Sequence, residues 1–77
     1  MTKRYGRNDK IDKELGARIR GYRQTLKLTQ EALGGKLGVT FQQIQKYESG
    51  ANSVSSSRVP SLCRALKITP NELFDIR

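Results

Sequence analysis

Apolar residues at Ile11, Leu15, Ile19, Tyr22 and Leu26 recur in steps of four, four, three and four, the stripe of an amphipathic helix. Asp12 is its expected N-cap, and the helix is expected to end near Leu26–Lys27, where the period breaks. Thr29 then reads as a second N-cap, with Glu31 in the first turn, where a negative charge suits the helix dipole. Leu28, Ala32, Leu33 and Leu37 form the inward side of this short helix, and Gly38 suits the left-handed position just past its end. Thr40 opens a third helix with a capping box, Thr40-x-x-Gln43; Ile44 and Tyr47 point inward and Ser49-Gly50 stops it. SGANSVSSS, residues 49–57, is a small-polar loop within one domain. A fourth helix is expected from Ser57 to Lys67, with Val59, Leu62, Cys63 and Leu66 inward and Pro60 in the first turn, where its missing N–H costs little. Thr69-Pro70-Asn71-Glu72 starts a last short helix carrying Leu73 and Phe74. Residues 1–10 are polar, basic and aperiodic and read as a disordered basic arm; residues 11–77 form the folded unit. The fold class is all-α, five short helices with no strand and no internal repeat.

Composition narrows the function. A chain of 77 residues forms one domain whose core is too small to enclose a deep substrate pocket. Five aromatics and no Trp argue against a large aromatic-lined cavity. With no His and a single Cys, a zinc site of the common Cys/His kind and a disulfide framework are excluded. No nucleophile–base pair stands out either, so no enzyme, cofactor or catalytic residue is expected. Cys63, beside Leu62 and Leu66, reads as a small core residue. No apolar run approaches the roughly 20 residues of a membrane span, and MTKRYGRNDK lacks the apolar stretch of a signal peptide, so a soluble, cytoplasmic (nucleoid-associated) chain is expected.

Charge supplies the positive clue. Fifteen Lys/Arg face seven Asp/Glu, and the excess is steepest in residues 1–23, eight against three. Such a surface favours a polyanionic partner, because neutralising phosphates releases condensed counterions. An anionic membrane or an acidic protein would satisfy the charge as well, but the first helix commits its apolar stripe to the core, which counts against the membrane.

The informative stretch runs from Gln30 to Tyr47. Gly38-Val39-Thr40 is too short a turn for its helices to lie antiparallel, so they must cross steeply, with a small residue where the backbones approach. Gly34 supplies that residue, and Leu33, Leu37, Val39, Ile44 and Tyr47 make the shared seam. Gly34, Gly38 and Ile44 thus stand at helix-turn-helix spacing. With LGARIRGYRQ, LTQEALGGKLGVT, FQQIQKYESG and LCRALKITPNELF, the chain resembles the Cro/C1-type (XRE-like) helix-turn-helix family over about residues 12–76. That resemblance implies a compact five-helix, lambda-repressor-like DNA-binding domain. Gly35 departs from the family pattern at a cost of roughly 0.5–1 kcal/mol relative to Ala, and Pro60 is also atypical.

Residues and resemblance agree that the third helix presents Phe41, Gln42, Gln45 and Lys46 outward. In a major groove Gln can pair with adenine, Lys can donate to guanine, and Phe41 can pack on a thymine methyl. The resemblance implies a phosphate contact for Gln30, with Thr40, Ser49 and Asn52 as further candidates; local capping would explain Thr40 equally well. It also implies an ion pair between Arg23 and Glu48 that clamps the third helix. The basic arm would reach a minor groove or simply be solvated, and Arg18 and Arg20 would only add to the field. The expected function is a sequence-specific, double-stranded DNA-binding transcriptional regulator, a repressor acting as a homodimer on a palindromic operator. Two alternatives stay open: an antitoxin-type module whose main partner is a protein, and a restriction–modification controller.

Overall fold

The computed structural model describes residues 9–75, and within them every regular element is helical. Helix α1 spans Asp9–Thr25, α2 Gln30–Leu37, α3 Phe41–Ser49, α4 Val59–Leu66 and α5 Pro70–Leu73, with a single 3₁₀ turn at Ser56–Arg58 before α4. Residues 1–8 of the expected arm lie outside the described residues. Asp9 and Lys10 already belong to α1, so the helix begins two residues before the expected boundary.

Local chemistry sets most of the ends. Thr29 and Thr40 sit in extended backbone, and their hydroxyls accept from the N–H of Ala32 (2.9 Å) and of Gln43 (3.3 Å). Thr69 forms the full reciprocal box with Glu72. Gly38 and Gly50 close α2 and α3 at φ of 75° and 81°, a region that glycine enters without a Cβ penalty. Lys27 and Lys67 take the same left-handed position after α1 and α4 with no glycine to signal it. Pro60 fits within the first turn of α4, and the expected start at Ser57 becomes the 3₁₀ turn instead.

One core joins all five helices: Leu15 and Ile19 of α1, Leu33 and Leu37 of α2, Ile44 and Tyr47 of α3, Leu62, Cys63 and Leu66 of α4, and Leu73 of α5. Burial raises the Cys63 thiol above its usual range, with the Glu72 charge as a smaller contribution, so the thiol is held protonated. Two expected core positions, Ile11 and Ala32, face solvent, as does Phe74. Ile11 (45% exposed) lies at the outer end of α1, Phe74 (47%) lies past the last turn of α5, and Ala32 projects from the outer side of α2.

Asp12 requires a larger correction. It is not the N-cap, because α1 starts a turn earlier; its buried carboxylate accepts from the Ser53 hydroxyl at 2.7 Å. This bond ties the loop after α3 to the base of α1. Arginines fasten other joints. Arg18 donates to the carbonyls of Glu72 and Leu73 at the end of α5 and packs against Tyr22, and Arg58 donates to the Leu37 carbonyl. Among the described residues no helix is long and apolar enough to cross a membrane, and no His/Cys/Asp/Glu cluster could hold a metal ion.

Candidate nucleic-acid interface

Two glycines fix how α3 sits on the body. A Cβ at Gly34 would lie 2.6 Å from the Val39 carbonyl oxygen, so only glycine permits the observed approach of α2 to the turn. Gly16 does the same for α1: its Cβ would lie 2.3 Å from the Tyr47 carbonyl oxygen and 2.5 Å from that of Glu48. The backbone of α1 is therefore in direct contact with the last turn of α3. Sequence reasoning singled out Gly34 by its spacing and overlooked Gly16. The signal that could have found it was a glycine in mid-helix beside the apolar stripe, which weakens a helix unless the space is needed.

An ion pair reinforces that contact. Arg23 Nε donates to Glu48 Oε2 at 2.6 Å and Nη2 to Oε1 at 3.2 Å, while Nη1 donates to the Leu28 carbonyl at 2.8 Å. Both side chains are largely buried, at 12% and 5% exposure. Gln30 Nε2 donates to the same Glu48 Oε1 at 3.1 Å, so one carboxylate gathers α1, α2 and α3. Removing either member of such a pair leaves its partner's charge buried, which costs far more than the loss of an exposed pair.

With its inner side held by Ile44, Tyr47 and Glu48, α3 turns a continuous outer stripe to solvent. Phe41, Gln42, Gln45, Lys46 and Ser49 all lie on it, exposed, at helical spacing. Phe41 is 38% exposed rather than folded onto the core. The stripe carries no acidic residue, so its only formal charge is positive. The side chains expected to contact phosphates lie around it with unequal freedom. Thr40 caps α3 yet keeps its hydroxyl proton for another acceptor. Ser49 donates to the Lys46 carbonyl and accepts from Ala51 N–H, so its hydroxyl is engaged locally. Asn52 is half-buried beside the end of α3, its backbone N–H on the Lys46 carbonyl. Gln30 keeps one amide N–H beyond its bond to Glu48.

A capped two-helix unit, crossed at a glycine, locked on its inner side and free on its outer one, defines the helix-turn-helix class. The helix-turn-helix domain family matches residues 14–74, and the chain belongs to it, with the five-helix fold of its Cro/C1 type. An uncharacterized HTH-type transcriptional regulator of Sinorhizobium fredii, y4wC, is 43% identical over 65 residues, covering 84% of this chain and 46% of that protein. A second, R00410 of Rhizobium meliloti, is 46% identical over 65 residues, covering 84% and 47%. The chain thus spans about half the length of the curated relatives it matches. Among solved structures, the restriction–modification controller C.AhdI of Aeromonas hydrophila superposes with a TM-score of 0.76 at 34% identity, over 80% of this chain and 90% of the other. The P22 c2 repressor, crystallised with a synthetic operator, gives 0.73 at 33% identity, over 78% and 91%.

Proposed function

We propose that this chain is the sequence-specific DNA-binding unit of a transcriptional regulator and that α3 is its recognition helix. The observation that carries the reading is the outer stripe of α3, which joins groove-reading side chains to an inner side locked by Ile44 and the Arg23–Glu48 pair. Gln42 and Gln45 supply paired donors and acceptors for adenine, Lys46 donates to guanine acceptors, and Phe41 packs on a thymine methyl. Gln30, Thr40 and Asn52 steady the helix on phosphates, and Ser49 joins them once its hydroxyl turns from the Lys46 carbonyl.

The size of the reading element supports binding as a homodimer to a palindromic operator. The nine residues of α3 reach only a few base pairs, and a twofold partner places a second copy about 34 Å away, one DNA turn along. Repression by occupying a promoter needs no further chemistry and is the expected mode. Likeness to C.AhdI supports a restriction–modification controller as the second reading, with the same interface serving a different set of genes.

Selection of bound sequences from random duplex DNA, at two salt concentrations, tests the proposal. An enriched palindrome is the expected result. A steep salt dependence with no enriched sequence would leave only non-specific phosphate binding and overturn it.

A further inference from the structure

Three residues of α1, Gly16, Arg20 and Arg23, stand at intervals of four and three and so share one side of the helix. Gly16 touches the last turn of α3, and Arg23 is bonded to Glu48. Arg20 lies between them and faces the same way, onto an open cleft of about 560 Å³ bordered by α1, α2 and α3; Arg20, Thr29, Gln30, Gln45 and Ser49 line it. The cleft therefore joins the reading stripe of α3 to the start of α2.

Charge distinguishes Arg20 from its neighbours. Arg18 is tied to the end of α5, Arg23 to Glu48 and Leu28, and Arg58 to Leu37. The Arg20 side chain is exposed and makes no hydrogen bond or ion pair among the described residues. The one carboxylate lining the cleft, Glu48, is already neutralised by Arg23. The cleft thus keeps one uncompensated positive charge, on a planar group with five donors suited to a phosphate's oxygens.

We infer that Arg20 is a DNA-backbone contact, a guanidinium clamp on the phosphate beside the groove that α3 enters. It positions α3 without reading sequence. The inference rests on the proposed function and adds a residue that lies outside the helix-turn-helix unit itself. Arg20 belongs to α1, and the contact depends on Gly16 bringing α1 against α3.

Duplex binding by the full chain, measured by fluorescence anisotropy at several salt concentrations on a selected site and on a random duplex, tests it in wild type, Arg20→Ala, Arg20→Lys and Arg64→Ala. One phosphate contact contributes about 0.9 to the salt slope, so Arg20→Ala should lower the slope by about one and weaken binding about fivefold near 0.15 M salt and about fifteenfold near 0.05 M. Both duplexes should lose equally. Arg20→Lys should recover most of the slope, and thermal unfolding should not change, because Arg20 supports nothing in the fold. Arg64→Ala, which removes an exposed charge on α4 away from the cleft, should change affinity less than twofold. An unaltered slope in Arg20→Ala, or a loss no larger than in Arg64→Ala, overturns the assignment while leaving the role of α3 intact. A wild-type chain that binds neither duplex overturns both.

Discussion

Helices α2 and α3 are built alike and used differently. Each starts at a threonine with φ of −77° and ψ of 163°, ends at a left-handed glycine, and runs eight or nine residues. Their inner sides do the same work, since Leu33 and Leu37 on one and Ile44 and Tyr47 on the other meet in a single seam. Their outer sides diverge. On α2 the exposed positions are Glu31, Ala32, Gly35 and Lys36, which are small or of opposed charge. On α3 they are Phe41, Gln42, Gln45, Lys46 and Ser49, which are mostly large, rich in donors and free of acids. Shared caps and a shared core set the angle at which the pair is held, and only the outer residues distinguish the helix proposed to read DNA from its neighbour. On that proposal, stability and recognition fall on opposite sides of the same short helix.

Substitutions at graded depth would break that division or sharpen it. The largest effect belongs to Ile44→Ala, which opens a cavity where α2 and α3 meet. We expect a loss of about 2–5 kcal/mol by chemical denaturation, enough to unfold much of so small a domain and abolish all DNA binding with it. Arg23→Ala strands the Glu48 charge and should cost about 3 kcal/mol, and the double variant Arg23→Ala/Glu48→Ala should be less damaged than the sum of the single changes. If the two losses simply added, the pair would not clamp α3 to α1. Gly35→Ala gives the smallest effect and the opposite sign. A Cβ there meets nothing within 4 Å, so the midpoint of thermal unfolding should rise, in step with about 0.5–1 kcal/mol, and affinity for a selected site should stay the same. Gly34→Ala, by contrast, meets the Val39 carbonyl and should destabilise.

The same contrast shows how far the amino-acid sequence could be read. Thr29, Thr40, Thr69, Gly38 and Gly50 announce their helix ends because capping depends on residues a few positions apart. At Thr40 the bond to Gln43 N–H forms as expected, and the outer stripe of α3 emerges from periodicity alone. Among contacts between distant segments, only the Arg23–Glu48 pair was expected, and through resemblance rather than local pattern. Asp12 bonds Ser53 across 41 positions, and Arg18 reaches Leu73 across 55. Asp12 near the start of an amphipathic stripe looks like a cap, and only the loop folding back over α1 explains its burial. Lys27 and Lys67 adopt backbone conformations that glycine usually marks, so the ends of α1 and α4 are signalled only by the break in the apolar period, within one or two residues. Ile11 fits the helical period but lies where the core has ended, and periodicity does not say where a stripe stops being covered. Gly16 is the instructive case, because its importance lies in the helix it touches rather than in its own.

On the proposed function, residues on the outer side of α3 discriminate between base sequences. The most direct measurement is the ratio of affinities for a selected site and a random duplex, compared in wild type and Gln42→Ala at fixed salt. Gln42 is exposed and supports no other region of the fold, so Gln42→Ala should leave stability and random-duplex affinity unchanged and make the ratio smaller by about 10- to 100-fold, the worth of one good base contact. An unchanged ratio, with both affinities equal to those of the wild type or falling together, would contradict that role for α3.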